Sequence, residues 1–357
     1  MTEFYCLKIE EIYKETDDTS VITFDIPEEL KEQFKFRQGQ HLTLKHMING
    51  EDVRRSYSLC SSPVEGKWQV AVKKIPEGKF STYVNDILEC GDYLEVMPPS
   101  GTFGVDVIEG TRKNYLFFAA GSGITPVLSM IKTHLAEEPN STCKLFYVNK
   151  TAKSIIFKEE LEQLRNTYFG RLEIYYFLTK EKRDIELFNG RFNDEKMAVL
   201  TKTFIDIPDT NEVFLCGPEQ MVNYVSDYLI QAGLPKELVH FELFVTGLSE
   251  EDIKRQERLA KQSVEGTEVT IIDGGKEFKF TMTIEFDNIL DAALNAGADL
   301  PYACKGGVCS TCKCKVIDGE VEMKINYALE EDEVAQDLVL SCQAVPTSDH
   351  VTVNFDV

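Results

Sequence analysis

Positive charge is scarce in this chain. Its 357 residues hold 38 lysines and arginines against 60 aspartates and glutamates, a formal net charge of −22. No nucleic-acid partner is expected, because phosphate backbones call for concentrated cationic surface; docking on anionic lipid is disfavoured for the same reason. Long apolar runs are also missing. The longest, such as Tyr115 to Ala120, are strand-sized and far short of a membrane span, so no membrane insertion is expected. The opening Met1-Thr-Glu-Phe-Tyr-Cys-Leu-Lys-Ile-Glu-Glu lacks the basic-then-apolar order of a signal peptide. No internal repeat or low-complexity tract stands out. A cytoplasmic protein is expected, in a compartment where thiols stay reduced.

Cysteine, by contrast, is plentiful: there are ten, and in a reducing compartment they need a role other than disulfides. Tyr302-Ala-Cys304-Lys-Gly-Gly-Val-Cys309-Ser-Thr-Cys312-Lys-Cys314 spaces three thiols as C-x4-C-x2-C, with Cys342 further on. That is the spacing of a plant-type [2Fe–2S] site. Soft thiolates suit iron, and Gly306 and Gly307 let backbone N–H groups approach inorganic sulfide. The competing readings are a zinc site, which more often pairs two C-x2-C hooks, or buried free thiols. Cys304, Cys309, Cys312 and Cys342 are the candidate ligands. Cys314 reads as a buried thiol on a strand, and Cys6, Cys60, Cys90, Cys143 and Cys216 as packing residues unless another motif claims them. The last 90 or so residues, with Ile289-Leu-Asp-Ala-Ala-Leu-Asn-Ala-Gly leading into the cysteine loop, resemble a plant-type ferredoxin, which implies an α+β, β-grasp fold.

Length argues for two or three domains, and 43% hydrophobic residues supply several cores. Residues 1–105 show short β-rich runs (Val21–Ile26, His41–Leu44, Trp68–Val72, Tyr93–Val96), the pattern of a small antiparallel barrel. From about 110, strands (115–119, 144–148, 172–177, 212–215) alternate with helix-like segments (125–135, 157–165, 219–232), the signature of a doubly wound α/β sheet. Leu248 to Gln262 is dense in charge and reads as a linker. The expected division is 1–106 flavin barrel, 107–247 nucleotide-binding domain, 248–265 linker and 266–357 ferredoxin. The last of these holds 17 acids and six bases, so a quarter of the chain carries half its net charge.

Two further motifs carry chemistry. Arg54-Arg55-Ser56-Tyr57-Ser58 offers a guanidinium for phosphate, a ring for an isoalloxazine face and a hydroxyl for its reactive nitrogen. Gly78-Lys-Phe80-Ser81-Thr82 opens a helix, where N–H groups suit a pyrophosphate. Each alone is a weak signal; the first could be surface strand. Together they resemble ferredoxin–NADP reductase-type flavoproteins, which implies FAD held by Arg55, Ser56, Tyr57, Ser58, Val72, Lys73, Gly78, Phe80, Ser81 and Thr82. Gly121-Ser-Gly123-Ile-Thr125-Pro126 follows a strand and opens a helix. It is not G-x-G-x-x-G, yet two glycines, a hydroxyl and a helix start still cradle phosphate. The resemblance assigns Gly121, Gly123, Thr125 and Pro126, with Cys216-Gly217-Pro218 and Met221, to the nicotinamide nucleotide.

The resemblance also makes Ser58, Cys216 and Glu242 the catalytic candidates and Phe244 a flavin cover. After strand 144–148 come Asn149, Lys150 and Ser154 with no acid, which with Arg191 suits a 2′-phosphate and hence NADPH over NADH; a solvated loop is the alternative. His41, His46, His134 and His350 read as surface or satisfied core groups. Module order and the stretches 54–63, 72–84, 95–103 and 300–312 resemble the subgroup of reductase subunits that serve ring-1,2-phenylacetyl-CoA epoxidases in phenylacetate catabolism. The implied function is electron transfer from NADPH through FAD and a [2Fe–2S] cluster, of order −400 mV, to a diiron oxygenase. Alternatives with the same parts are service to an aromatic-ring dioxygenase, service to a hybrid-cluster protein, or a redox-sensing module without turnover.

Overall fold

A computed structural model describes residues 4–244, 255, 258, 259, 266–283 and 285–357. They fall into two compact units, one built largely from residues 5–244 and the other from residues beyond 244. The linker expected at 248–265 lies outside the described residues, apart from Arg255, Arg258 and Leu259; Arg258 pairs with Glu322 at 2.8 Å, and Leu259 is buried.

The first unit opens with β1 (Tyr5–Thr16), β2 (Thr19–Asp25), β3 (His41–Ile48), β4 (Glu51–Ser58), β5 (Trp68–Lys73), α1 (Lys79–Asp86) and β6 (Tyr93–Val96). Asn49 and Gly50, both with positive φ, make the tight turn between β3 and β4, as an Asn-Gly pair does in hairpins. The sheet order is β4-β3-β6-β1-β2-β5. Its two edges meet where Leu59 bridges Val70 and Cys60 N–H donates to Gln69 O at 2.8 Å, closing a barrel. The interior is apolar and includes Leu7, Ile22, Phe24, Leu44, Val72 and Phe80. Strand β1 is not apparent in the sequence. Its buried Leu7 and Ile9 alternate with exposed Cys6, Lys8 and Glu10, so polar residues dominate its composition.

The same unit continues as a parallel sheet: β7 (Asn114–Ala120), α2 (Ile124–Glu137), β8 (Thr142–Asn149), α3 (Lys158–Thr167), β9 (Leu172–Leu178), α4 (Asp194–Thr203), β10 (Glu212–Gly217), α5 (Glu219–Gln231) and β11 (Val239–Leu243). The order β11-β10-β7-β8-β9 reverses direction between β7 and β10. In doubly wound folds ligands bind at the carboxyl ends of the strands at such a switch point. Helix α2 is buried from Ile124 to Leu135 and fastens the barrel to this sheet. Ser129 Oγ donates to Ser61 O at 2.7 Å, Ser62 and Thr133 hydroxyls lie 2.8 Å apart, and Lys132 pairs with Glu65 and Glu160.

The second unit is a five-stranded mixed sheet. β12 (Thr267–Asp273) and β13 (Lys276–Met282) form a hairpin; α6 (Ile289–Asn295) follows, then β14 (Lys313–Met323), the short helix α7 (Glu331–Val334), β15 (Leu338–Leu340) and β16 (Ala344–Asn354). The order is β13-β12-β16-β14-β15, with β12 and β16 parallel and the other pairs antiparallel. Asn288 caps α6 by accepting from Asp291 N–H at 2.8 Å, as Asn does at helix starts. The helix turns Ile289, Leu290, Ala292 and Ala293 into the core, where Cys312, Cys314 and Cys342 also lie.

Candidate redox site

The hairpin turn fixes where β4 presents Arg55, Ser56, Tyr57 and Ser58. Arg55 is exposed, Ser56 and Tyr57 are half-buried, and Ser58 is 3% exposed. The Tyr57 ring lies 5.9 Å from Phe80 at the start of α1. Gly78 precedes that helix, and a Cβ there would stand 2.5 Å from both Ser81 Oγ and Ile75 Cγ1. The backbone is thus open at the end that suits a pyrophosphate. Ser81 Oγ is engaged locally, accepting from Ile75 N–H and donating to Gly78 O, both at 3.3 Å. Val72 and Phe80 put their side chains into the barrel core, so only their backbones are available to a cofactor. Thr82 is half-buried, and Lys73 pairs with Asp18 at 3.5 Å.

At the switch point two loops press together. A Cβ on Gly123 would fall 2.2 Å from Cys216 O, and one on Gly217, whose φ is +155°, 3.0 Å from Ala120 Cβ and 3.1 Å from Met221 Cε. Both glycines are required for this approach. Tyr147 OH donates to Gly121 O at 2.8 Å, and Thr125 Oγ1 to Ser122 O at 3.0 Å, holding the turn into α2. Pro126 lies buried in that helix's first turn, and Pro218 caps α5.

The barrel and the parallel sheet converge on three side chains. Ser58 Oγ donates to Glu242 Oε2 at 3.2 Å. Glu242 is the β11 residue in register with Cys216 on β10. Burial, and next the Glu242 charge, push the Cys216 thiol well up, so it stays neutral at physiological pH. Phe244 N–H donates to Gly217 O at 3.2 Å, and its ring packs on the core of the parallel sheet. A hydroxyl, a neutral thiol and a carboxylate thus meet where the two folds face each other.

The loop after β8 departs from its sequence reading in one respect. Asn149 is buried and Lys150 exposed, and Ser154 Oγ is engaged with Thr151, accepting from its N–H at 3.0 Å and donating to its O at 2.8 Å. Glu181 Oε2 accepts from Ala152 N–H at 2.8 Å. An acid absent from the loop's own sequence therefore reaches it from beyond β9; only the fold brings the two together. Arg191 is exposed on the loop before α4.

The cysteine loop of the second unit has left-handed backbone at Lys305, Gly307 and Ser310. Alternation of this kind turns N–H groups inward: Gly306 N–H points at Cys304 Sγ at 3.3 Å. The four thiols come as two hydrogen-bonded pairs, Cys304 with Cys309 and Cys312 with Cys342. Among the described residues no three acid, thiol or imidazole groups gather around one point as a single-ion site would require. Two thiol pairs fit a two-iron cluster better than one zinc ion. The Cys312 thiol, against the cost of burial, and then the Gln343 amide and Gly307 N–H hold the Cys342 thiol below its ordinary value. Cys314 is buried in the core, as expected, and burial pushes its thiol up. Cys60, Cys143 and Cys216 are buried, but Cys6 and Cys90 are exposed and do not pack. Strand alternation turns Cys6 to solvent, and Cys90 sits in a turn, donating to Glu10 O at 3.1 Å.

Fold and site together define a class: NAD(P)H-dependent oxidoreductases that combine FAD with a [2Fe–2S] cluster. Residues 6–104 match the oxidoreductase FAD-binding domain, 117–227 the oxidoreductase NAD-binding domain, and 272–347 the 2Fe-2S iron-sulfur cluster binding domain. The chain is 42% identical over 356 residues, all of it and 99% of the relative, to the reductase subunit of 1,2-phenylacetyl-CoA epoxidase from Escherichia coli (strain K12). It belongs to the family of flavin and iron–sulfur reductase components of oxygenases. The ferredoxin reductase component of 3-ketosteroid-9-alpha-monooxygenase from Rhodococcus rhodochrous is 32% identical, covering 98% of this chain and 96% of that one. Phthalate dioxygenase reductase shares the fold, with a TM-score of 0.61 at 24% identity over 99% of this chain and 98% of that one. No helix among the described residues is long and apolar enough to cross a membrane.

Proposed function

We propose that this chain is the NADPH-oxidising reductase of a ring-1,2-phenylacetyl-CoA epoxidase, a diiron oxygenase of phenylacetate catabolism, and that it works in the cytoplasm. The observation that carries the oxygenase assignment is the full-length match to the epoxidase reductase subunit. We further propose the division into a flavin barrel at 1–106, a nucleotide domain at 107–247, a linker at 248–265 and a ferredoxin domain at 266–357.

When bound, FAD supplies two-electron acceptance and the cluster one-electron release. The chain's own groups hold and orient. Tyr57 offers its ring to the isoalloxazine, Arg55 its guanidinium to phosphate, and the start of α1 its N–H groups to the pyrophosphate. Ser58 and Glu242 fix a hydroxyl and a carboxylate beside the reacting ring positions, and Cys216 fills the space behind them without charge. Gly121, Gly123, Gly217 and Met221 shape the nicotinamide crevice. Lys150 is the cation offered to a 2′-phosphate, which supports NADPH; Glu181, already engaged by Ala152 N–H, is the nearest opposing charge on that loop. Cys304 and Cys309 would ligate one iron, Cys312 and Cys342 the other.

An anaerobic titration of the purified chain with NADPH, and separately NADH, tests the reading. Bleaching of flavin and iron–sulfur absorbance by substoichiometric NADPH, followed by product formation once a phenylacetyl-CoA-type diiron oxygenase and its thioester are added, is the expected result. Electron delivery to a ketosteroid or ring-hydroxylating oxygenase in its place would favour the second reading, which rests on the 32% identical relative. No bleaching by either nucleotide would sink both.

A further inference from the structure

One buried amide beside the cysteines is left without a role by everything above. Gln343 follows Cys342 directly and is 4% exposed. Its backbone is tied on both sides: its N–H donates to Leu340 O and its O accepts from Lys324 N–H, each at 2.8 Å. The turn bearing Cys342 is pinned again where Ser341 N–H donates to Cys312 O at 3.0 Å and Leu290 N–H to Ser341 O at 3.1 Å. The side chain therefore leaves a rigid base in a fixed direction. Its Nε2 donates to Lys305 O at 2.8 Å and to Cys342 Sγ at 3.6 Å. Because a carbonyl can only accept, the Lys305 contact fixes which end of the amide is nitrogen. Oε1 is buried and has no hydrogen-bond partner among the described residues. A buried acceptor without a partner costs stability, so the fold gains little from this side chain. Across the gap, Gly307 has φ +75°, and a Cβ there would lie 3.3 Å from Gln343 Cγ. The loop and the amide are packed face to face.

We propose that Gln343 is a positioning residue of the iron–sulfur site, one amide nitrogen both holding the 304–312 loop at Lys305 and donating to the Cys342 sulfur. The two ends of the ligand set are far apart in sequence, and this side chain joins them. A donor on a ligand thiolate stabilises the added negative charge of the reduced cluster more than the oxidised one, and so raises its midpoint potential. The inference rests on the four-cysteine reading and concerns that site alone.

The test compares wild type with Gln343→Leu and Gln343→Glu in the full-length chain, measuring iron and sulfide content, far-UV circular dichroism and the midpoint potential by redox titration followed by EPR. Both variants are expected to titrate below wild type, the glutamate variant furthest, with an altered EPR line shape. A leucine variant that loses iron and sulfide while its circular dichroism is unchanged supports the holding role, and the glutamate variant then supplies the potential. A leucine variant at the wild-type potential with the wild-type spectrum overturns the proposal, as does one that unfolds. A wild-type chain free of iron and sulfide would sink the four-cysteine reading and this inference with it; a loaded wild type with an unmoved variant sinks this inference alone.

Discussion

Ser58 and Glu242 belong to different sheets, and their 3.2 Å hydrogen bond makes the reacting geometry depend on both. Glu242→Gln keeps the size and still accepts from Ser58, but removes the charge. NADPH-driven ferricyanide reduction is expected to fall by about 100-fold in kcat with KM little changed; an unchanged kcat would remove Glu242 from the reacting set. The thiolates act elsewhere. Cys309→Ser should abolish reduction of a one-electron protein acceptor such as cytochrome c while leaving ferricyanide reduction by the flavin. Equal loss of both would contradict a serial path. Glu138 and His134 form a buried pair 3.3 Å apart, with Tyr115 stacked on the imidazole at 4.2 Å. Burial alone would raise Glu138, but Ile108 N–H, Tyr115 OH, Ser141 and His134 together hold its carboxyl below the usual range. Its stabilising contribution is therefore complete above about pH 4.5 and is lost as pH falls through the lower folded value. Burial likewise keeps His134 below its ordinary 6.5. The unfolded chain takes up that proton first, so stability starts to decline below about pH 6.5. Urea unfolding from pH 8 to 3 should show both declines, and Glu138→Gln should lack the lower one.

Among the elements, the turns after β7 and β10 set the crevice. Gly123→Ala would drive a methyl into the Cys216 carbonyl, at 2.2 Å before relaxation, and neither partner is a flexible side-chain end. Displacement of about 1 Å at a reacting site costs on the order of 100-fold. NADPH oxidation should drop by that much while the iron–sulfur spectrum stays intact; retained activity would mean that this approach does not shape the nucleotide site. How far such features are legible in the sequence follows from their physics. The four cysteines declare themselves by spacing, because loop geometry around a cluster is local. Strands β7, β8, β9 and β10 are continuous apolar runs, as buried parallel strands must be, and their positions can be read closely. Strand β1, with one polar face, and α4, with a weak apolar stripe, leave little signal. Cys6 and Cys90 escape a sequence reading because composition does not say which way a strand residue points. Glu181 and Gln343 act through neighbours supplied by tertiary folding, and no spacing rule reaches them.

For the molecule as a whole, charge is distributed by module. Residues 266–357 carry half of the −22, and Glu330 and Asp332 are exposed. Electron delivery to an oxygenase with a basic docking face should slow as salt rises from low to physiological ionic strength, because screening shortens the reach of those carboxylates. Stopped-flow rates indifferent to salt would remove the steering role. The register of the second sheet bears on something else: how the protein is made. Residues 267–273 pair in parallel with residues 350–354, so the first strand of the ferredoxin unit waits on the ribosome until the last has been synthesised, and non-local pairing of this kind forms slowly. Cys342 lies just ahead of that late strand. The fourth ligand and the strand that completes the sheet emerge together, and assembly factors that deliver iron and sulfide meet a chain whose first three cysteines have long been exposed. Cluster insertion is thereby a post-translational event, and cells short of iron would accumulate chains able to bind flavin but missing a finished electron outlet.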